Sequence, residues 1–593
     1  MSGLAYIALL RRSGRATSDK VAHAIERAQA ERGFSLLHDS PTLTVLAPAA
    51  TPHVLVPGGG GIILGHVFES ASSIFVQPGT KSGLDEPPAN FVENFWGGYL
   101  ALRTCRGAAE VLRDPSGAVP CYHLAVDDVH ILTAEPALLV DLGLIAAELD
   151  WAVMRQAIVY RDLRPARTAL VGINEIQPGI AARVLPPGLT AESAWLPWTF
   201  TGRAREIDDP DAATEAVRQA VTIAVSAWGR CFRQPLVEIS GGLDSAIVAA
   251  VLAAADRPPA GITFRGVTGD TDETPYARAI AEHLGIDLVT LAPDIAAIDI
   301  HHSAARALAR PSARSFAQAL DGPERRLAER LGADAYFSGG GGDNVFSFLR
   351  SLAPVFDRIR RHGLGRGALA TMIDIADLAE TSVWEVAYRT ARRAARRRPA
   401  PSWPVEARFL SPDAVTDLPL PTGHPWLPAP DKALPGKRAQ VMALIRVQNH
   451  LDGHGRQAHA PIIFPLLSQP VMEACLAIPS WLWCAGGRNR AVARTAFAPL
   501  LPASVTARQN KGAFDSLCVQ AMIANREELR DLLLQGLLAR EGLLDLPSIA
   551  RALEAPVPDG LDVMQLLMLA DVEAWARGWE GRSSATPTAS PPF

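Results

Sequence analysis

The amino-acid sequence predicts a mixed α/β protein, in which a β-rich domain precedes a doubly wound parallel-sheet domain with a mainly helical extension. Short apolar runs between closely spaced Gly and Pro turns fill residues 1–200 and predict strands. Strand and helix signals then alternate from residue 235 to residue 337, as in βαβ units. From residue 349 onward the pattern is mainly helical. A length of 593 residues suits two large domains.

The same patterns divide the chain into four segments. Residues 1–200 are predicted to form the β-rich domain, 201–211 a polar linker and 212–580 the second domain. Residues 581–593 are rich in Ser, Thr and Pro, and we expect a disordered tail. Two packed sheets in the first domain are predicted from apolar runs at residues 43–46, 61–64, 99–103 and 130–133.

Composition excludes several classes of function. A net charge of −5 gives no general basic field for nucleic acid, and no apolar stretch reaches the roughly 18 residues of a membrane span. The first residues carry their charges after a short apolar run, unlike a signal peptide. The six cysteines form no C-x-x-C pair, so neither a disulfide framework nor a zinc site is indicated. We therefore expect a cytoplasmic protein with no nucleic-acid or membrane partner.

The most informative stretch is S-G-G-L-D-S at residues 240–245. A short apolar run precedes it and an unbroken Ala/Val/Leu segment follows, which predicts a strand, a tight loop and a buried helix. Glycines let the backbone approach a ligand closely, and the N–H groups at a helix N-terminus attract an anion. A phosphate therefore fits this loop, although the Lys of a Walker loop is absent. The alternative is a Gly turn capped by Asp and Ser.

Two further segments are predicted to lie at the same edge of the sheet, because doubly wound sheets bind ligands at the carboxyl ends of their strands. Residues 270–278 carry three acids, Asp270, Asp272 and Glu273, which either serve the site or cap the following helix. Residues 339–342 are four consecutive glycines after an apolar strand. Because glycine is costly in folding entropy, this run favours backbone held against a ligand.

These motifs resemble those of known enzymes. S-G-G-x-D-S is similar to the pyrophosphate loop of ATP pyrophosphatases. The wider set resembles asparagine synthetases, from about residue 95 to residue 512. In the first domain the set comprises F-x-G-x-Y, R-D-x-x-G and P-x-Y, all within residues 95–122. In the second domain it comprises D-E-x-x-x-A at 272–277 and a glycine loop at 338–346. Three later stretches are similar to P-F-L-D (465–468), K-x-x-x-R (487–494) and R-x-x-K-G (508–512). The resemblance implies a glutaminase-like (Ntn-type) sandwich and an ATP pyrophosphatase-type synthetase domain.

The resemblance also implies ATP and Mg²⁺ as cofactors. Asp244 and Asp343 would hold Mg²⁺ jointly from two strand ends. Lys511, one of only five lysines, falls on the active-site lysine of the family and would be catalytic; otherwise it is an exposed lysine. The implied nucleotide-binding residues are Ile239, Ser240, Gly241, Gly242, Leu243, Asp244, Ser245, Thr263, Phe264, Ser338, Gly339 and Gly340.

The sequence departs from asparagine synthetases at three places. Ser2 replaces the cysteine that hydrolyses glutamine, so we expect the first domain to be an inactive scaffold. Gly340 replaces the Glu that serves amide formation, and no E-x-R precedes Pro465. His454 and His459, which lie nearby in sequence, are either general bases or solvated loop residues. A basic helical face at residues 389–398 is either solvated surface or a docking patch for an acidic peptide or partner protein.

With these departures the chain resembles the macrolactam cyclases of lasso peptide biosynthesis. The resemblance implies that an Asp or Glu side chain of a leader-cleaved precursor peptide is adenylated and then attacked by the amino terminus of that peptide, releasing AMP and pyrophosphate. The implied partners are the precursor peptide, a leader peptidase and a leader-binding protein. Two alternatives stay open. One is a divergent asparagine synthetase or β-lactam-synthetase-like small-molecule ligase, and the other is a non-catalytic ATP-binding regulator.

Overall fold

Two antiparallel sheets form the first part of the chain. The computed structural model describes all residues except 1–3, 13–16, 71–74, 77–82, 106, 187, 255–257, 267–271, 349–350, 397–402, 509–514, 557–558 and 585–593. The strands of this part are β1 (Ile7–Leu10), β2 (Phe34–Asp39), β3 (Leu43–Pro48), β4 (His53–Val56), β5 (Gly61–Glu69), β6 (Phe95–Cys105), β7 (Ala108–Arg113), β8 (Tyr122–Val126), β9 (Val129–Thr133), β10 (Asn174–Glu175), β11 (Ile180–Leu185) and β12 (Gly188–Ser193). Its helices are α1 (Asp19–Arg32), α2 (Pro88–Asn94), α3 (Pro136–Asp141) and α4 (Trp151–Val159).

The strand orders are β10-β8-β9-β1-β3-β2 in one sheet and β12-β11-β7-β6-β5-β4 in the other. Apolar side chains from both sheets, among them Ala8, Val45, Leu64 and Leu102, form one fully buried core between them. The predicted β-rich sandwich is therefore confirmed. Ser2 lies outside the described residues.

A five-stranded parallel sheet forms the second part. Its strands are β13 (Pro235–Glu238), β14 (Ala260–Phe264), β15 (Leu288–Leu291), β16 (Ala335–Phe337) and β17 (Ile462–Ile463), in the order β15-β14-β13-β16-β17. Its helices are α5 (Pro210–Arg230), α6 (Leu243–Ala253), α7 (Thr274–Leu284) and α8 (Gln318–Leu331). Val237 packs into the core that contains α5 and α6, whereas Leu236 packs with Leu327 of α8. Helices thus cover both faces, as predicted, and the strand order reverses between β13 and β16, where doubly wound sheets bind ligands.

Helices dominate the rest of the chain. They are α9 (Gly342–Val345), α10 (Ala353–His362), α11 (Arg366–Leu378), α12 (Val383–Ala395), α13 (Pro412–Val415), α14 (Pro435–Val447), α15 (Gln469–Ala477), α16 (Ala491–Phe497), α17 (Ala503–Thr506), α18 (Asp515–Ala524), α19 (Arg526–Leu534), α20 (Leu537–Arg540), α21 (Leu546–Glu554) and α22 (Gly560–Ser584). Helix α22 continues four residues into the segment predicted to be a disordered tail. Its end is anchored because Arg582 lies over the Trp579 ring and donates to the carbonyl of Arg306. In the part of the chain that is described, no helix is both long and apolar enough to cross a membrane.

A buried ionic network joins the antiparallel sheets to the second part. Glu175 of β10 forms ion pairs with Arg113 at 2.8 Å, Arg164 at 2.9 Å and Arg310 at 2.8 Å, and Arg164 also pairs with Asp452. Burial alone would raise the pKa of Glu175, but the three guanidiniums hold it well below its usual range. The R-D-x-x-G motif therefore contributes to this junction through its arginine.

Candidate active site

The loop between β13 and α6 has the conformation expected of an anion-binding turn. Gly241 adopts a φ of +71°, and a Cβ at this position would lie 2.9 Å from the Cβ of Tyr276. The hydroxyls of Ser240 and Ser245 are 3.1 Å apart, and the Ser240 N–H donates to Ser245 Oγ. These contacts close the loop over the N-terminus of α6, an eleven-residue helix whose dipole favours an anion there.

The implied nucleotide-binding residues lie together at the carboxyl edge of the sheet. Ile239 donates its N–H to the carbonyl of Ile262 at 2.8 Å, so the end of β13 lies beside Thr263 and Phe264 at the end of β14. On the other side of β13, the Ser338 N–H donates to the carbonyl of Ile463 at 3.0 Å. Residues 239–245, 263–264 and 338–340 thus lie at the carboxyl ends of β13, β14 and β16, around the point at which the strand order reverses.

The four-glycine run packs against protein. A Cβ at Gly339 would lie 2.4 Å from the Ser245 nitrogen, and a Cβ at Gly342 would lie 2.3 Å from Asp244 Cγ. At Gly341, where φ is +87°, a Cβ would overlap Leu467. The glycines are therefore needed so that this loop can reach the first turn of α6. The sequence favours contact of this run with a ligand, and it does not predict the packing of the run against α6.

Gly340 faces an aromatic ring. A Cβ at this position would lie 2.8 Å from Phe464 Cδ1, so any side chain here would displace the ring. Phe464 is half-buried and follows β17 directly. A phenyl ring thus fills the space next to the Gly340 backbone.

The two predicted metal ligands converge on one arginine. Arg490 Nη1 donates to Asp244 Oδ2 at 2.8 Å and to Asp343 Oδ1 at 2.6 Å. Arg490 is 4% exposed, lies over the Phe348 ring and has a φ of +53° at the N-cap of α16. The sequence predicts that the two carboxylates lie close together, but it does not predict that Arg490 lies between them. The K-x-x-x-R-like stretch at residues 487–494 was the available signal.

The donor set of this pair suits Mg²⁺. Carboxylate oxygens are its preferred protein ligands, and sites that bind nucleotides often use one or two carboxylates together with substrate phosphates. Within the described residues, no group of three or more His, Cys, Asp or Glu side chains could hold a metal alone. Asp244 and Asp343 therefore suit a cation that takes its remaining ligands from phosphate. In this structure the guanidinium of Arg490 lies between the two carboxylates.

Arg508 connects the R-x-x-K-G stretch to the phosphate loop. Its guanidinium donates to the Gly241 carbonyl at 3.1 Å, pairs with Glu273 at 2.7 Å and lies 4.1 Å from the Tyr276 ring centroid. The chain thus reaches the loop three residues before Lys511, which itself lies outside the described residues.

The acidic segment before α7 has a structural role at Asp272. Its carboxylate accepts from the backbone N–H and hydroxyl of Thr274 and from the N–H of Gly266. The Thr274 hydroxyl and the Gly266 N–H lower the pKa of Asp272. This carboxylate therefore stabilises the start of α7, whereas Glu273, the N-cap residue, makes no side-chain cap and pairs with Arg508. Asp270 lies outside the described residues.

His454 is half-buried, and its ring contacts two backbone groups. Nε2 lies 3.1 Å from the His450 carbonyl, and the ring accepts from the backbone of Gln457. Burial lowers the pKa of His454. The ring thus helps to shape the turn at residues 454–458. His459 is half-buried, with Nδ1 3.4 Å from the Tyr336 hydroxyl.

A buried charge cluster that the sequence analysis did not predict supports β13 just before the phosphate loop. Arg456 forms ion pairs with Glu238, with Asp321 at 2.7 Å and with Glu324 at 2.8 Å. Burial raises the pKa of Glu324 to about 8. Because Glu238 is the last residue of β13, Arg456 fixes the strand end from which the loop departs.

The basic face predicted at residues 389–398 lies on α12 and beyond it. Arg389 pairs with Glu385 at 2.6 Å, and Arg392, Arg393 and Arg396 are exposed. Trp384, one turn before Tyr388, is 81% exposed. The last two arginines lie outside the described residues, and both alternatives for this face stay open.

Known proteins similar to this chain include one sequence family and several solved structures. The asparagine synthase family matches residues 216–577, more than half of the chain. A glutamine phosphoribosylpyrophosphate amidotransferase from B. subtilis, complexed with ADP and GMP, is similar at 9% identity, covering 49% of this chain and 60% of that chain, with a TM-score of 0.20. A structure of the allosteric regulatory enzyme of purine biosynthesis is similar at 10% identity, covering 49% and 75%, with a TM-score of 0.18.

The TM-scores of these two structures are too low to carry an argument about fold or function. The comparison with curated proteins finds no match. The family match covers the parallel sheet, the phosphate loop and both converging carboxylates. This chain therefore belongs to the asparagine synthase family.

Proposed function

We propose that this protein closes the macrolactam ring of a lasso peptide. An Asp or Glu side-chain oxygen of the leader-cleaved precursor peptide attacks the α-phosphorus of ATP, and the bond to the departing pyrophosphate breaks. The amino-terminal nitrogen of the same peptide then attacks the acyl carbon. The carbon–nitrogen bond forms, the bond to AMP breaks, and the nitrogen releases a proton.

The chain's own residues supply positioning and electrostatics in this proposal. The loop at residues 240–245 and the start of α6 bind phosphate oxygens through backbone N–H groups. Asp244 and Asp343 would hold Mg²⁺, which neutralises charge on the departing pyrophosphate. Lys511, close in sequence to the anchored Arg508, would stabilise the charge that develops at phosphorus and at the acyl carbon.

The observation that carries the choice of substrate is the contact between Gly340 and Phe464. Asparagine synthetases place a glutamate at this position, whereas here a side chain would have to displace the Phe464 ring. An apolar wall suits a peptide segment better than free aspartate. Holding amine and activated carboxyl of one folded peptide together also makes ring closure effectively unimolecular.

The antiparallel domain is proposed to be a scaffold, and the partners are proposed to be the precursor peptide, a leader peptidase and a leader-binding protein. The Glu175 network, which fixes the first part to the second, supports the scaffold role. We also propose a cytoplasmic location, a reducing compartment that suits the six free thiols.

Mass spectrometry of the product tests the function. The protein, ATP, Mg²⁺ and leader-free precursor peptide should give a peptide lighter by one water, together with equal amounts of AMP and pyrophosphate. A precursor with its acceptor Asp or Glu changed to Asn or Gln should give no cyclic peptide, AMP or pyrophosphate. The Asp343→Asn protein should be folded but inactive. Turnover of free aspartate with ammonia, or of a small amino acid alone, would favour the alternative ligases. ATP binding without any turnover would favour the regulator.

A further inference from the structure

We propose that Arg490 is a built-in counter-ion of the Asp244–Asp343 pair. Its guanidinium keeps a free divalent cation out of the pair and gives way only when a nucleoside triphosphate offers phosphate oxygens in exchange. The inference rests on the nucleotide binding proposed above, but not on which carboxylate is activated. It makes metal binding and nucleotide binding one coupled event.

The contact geometry is the first support. A single nitrogen, Arg490 Nη1, donates to one oxygen of each carboxylate, at 2.8 Å and 2.6 Å. A cation that bridged the same two oxygens would have to take the place of this nitrogen. Guanidinium and metal therefore compete for one position.

Charge and burial are the second support. Asp244 and Arg490 are 7% and 4% exposed, so their charges are poorly screened by water, whereas the Asp343 side chain is 38% exposed and its charge is screened more. An arginine side chain stays protonated in proteins and cannot become neutral to make room. If a free cation displaced it, a buried guanidinium would lose both of its carboxylate partners, which is strongly unfavourable. Phosphate oxygens remove this penalty because guanidinium binds phosphate well.

The surroundings of Arg490 are the third support, because they hold its backbone while its long side chain can still turn. Arg494 donates to the backbone carbonyl of Asn489 at 2.8 Å and to its side-chain oxygen at 2.9 Å, which fixes the residue just before Arg490. The preceding turn is tied to α11, because the Gly487 N–H donates to Asp374 at 3.2 Å. An exchange of partners therefore needs movement of one side chain only.

Manganese binding in the absence of nucleotide tests the proposal. Mn²⁺ would be titrated into wild-type protein, Arg490→Gln and Arg488→Gln, and free Mn²⁺ followed by electron paramagnetic resonance. Arg488→Gln is the matched control, since it removes the same charge from an exposed residue two positions earlier. Without nucleotide, Arg490→Gln should bind Mn²⁺ at least about tenfold more tightly than wild type, and the control should bind as wild type does. Adding a non-hydrolysable ATP analogue should reduce the difference in Mn²⁺ affinity between wild type and Arg490→Gln.

Three results would overturn the proposal. The first is wild-type protein that binds Mn²⁺ alone as tightly as Arg490→Gln does. The second is an equal gain in the Arg488→Gln control. The third is a gain in Arg490→Gln that survives a further Asp343→Asn change. If Arg490→Gln does not fold, wild type decides alone, since tight Mn²⁺ binding at Asp244 and Asp343 without nucleotide contradicts the proposal. The Mn²⁺ titration contains no peptide, so its result does not depend on whether the protein closes a peptide ring.

Discussion

Among single residues, Gly342 makes the sharpest steric demand in the site. A Cβ here would lie 2.3 Å from Asp244 Cγ, so Gly342→Ala must move either the loop or the carboxylate. We expect pyrophosphate release to be lost and unfolding free energy to fall by roughly 1–3 kcal/mol. Gly578→Ala is the control, because its Cβ meets open space within α22 and alanine favours helix. Normal pyrophosphate release by Gly342→Ala would show that the close packing does not matter.

Lys511 tests whether a compact ammonium is needed. Lys511→Met should lower kcat by about 10²–10³ with little change in ATP affinity, as loss of a preorganised charge does. Lys511→Arg should fail nearly as badly, because a planar guanidinium cannot replace an ammonium. ATP–pyrophosphate exchange and cyclic product would be measured separately. Wild-type cyclisation by the Arg variant would contradict a catalytic role.

Residues of the site differed in how far sequence could predict them. Asp244 and Asp343 each follow a strand, and parallel strands bring such positions to one edge, so their meeting could be predicted. The role of Arg490 could not be predicted, because it depends on how the start of α16 packs near Asp244, which lies 246 positions earlier in the chain. The contact of the Phe464 ring with Gly340 could not be predicted for the same reason, since the two residues meet only after the chain has folded.

Elements were predicted well where local pattern decides them. The apolar runs at residues 288–291 and 335–337 correspond to β15 and β16. The end of α22 was missed because it depends on contacts of Arg582 with Trp579 and with the Arg306 carbonyl. A distant partner such as the Arg306 carbonyl leaves no local signal in a Ser- and Thr-rich segment.

Helix α22 carries a buried carboxyl that makes stability depend on pH. Asp571 accepts the Ser315 N–H at 2.7 Å, and burial raises the pKa of Asp571 to about 7. Between its unfolded pKa of about 4 and this value, the folded protein binds more protons than the unfolded chain. This carboxyl therefore makes stability fall as pH rises through that window, by at most about 1.4 kcal/mol per pH unit.

Urea unfolding of wild type and Asp571→Asn between pH 5 and pH 8 checks this sign. The variant should lose less stability than wild type as pH rises, because its amide has no proton to release. Glu580→Gln, an exposed change on the same helix, should follow wild type. Parallel curves for wild type and Asp571→Asn would show that the carboxyl does not titrate as described.

For the whole molecule, the Glu175 network predicts that the two parts depend on each other for stability. Glu175→Gln would leave the guanidiniums of Arg113, Arg164 and Arg310 buried with too few partners. We expect unfolding free energy to fall by roughly 3–5 kcal/mol. Glu554→Gln, which breaks an exposed pair with Arg530, should change it little. Equal effects of the two changes in urea unfolding would mean that the network does not hold the parts together.

The central claim is that the crevice between β13 and β16 activates a carboxylate by adenylation. The most direct measurement uses a precursor peptide whose acceptor carboxylate carries ¹⁸O, followed by mass spectrometry of the released nucleotide. Attack of that carboxylate on the α-phosphorus predicts that AMP carries one ¹⁸O for each ring closed, because one labelled oxygen leaves with AMP when the amide forms. Unlabelled AMP, or label in phosphate, would contradict adenylation at this site.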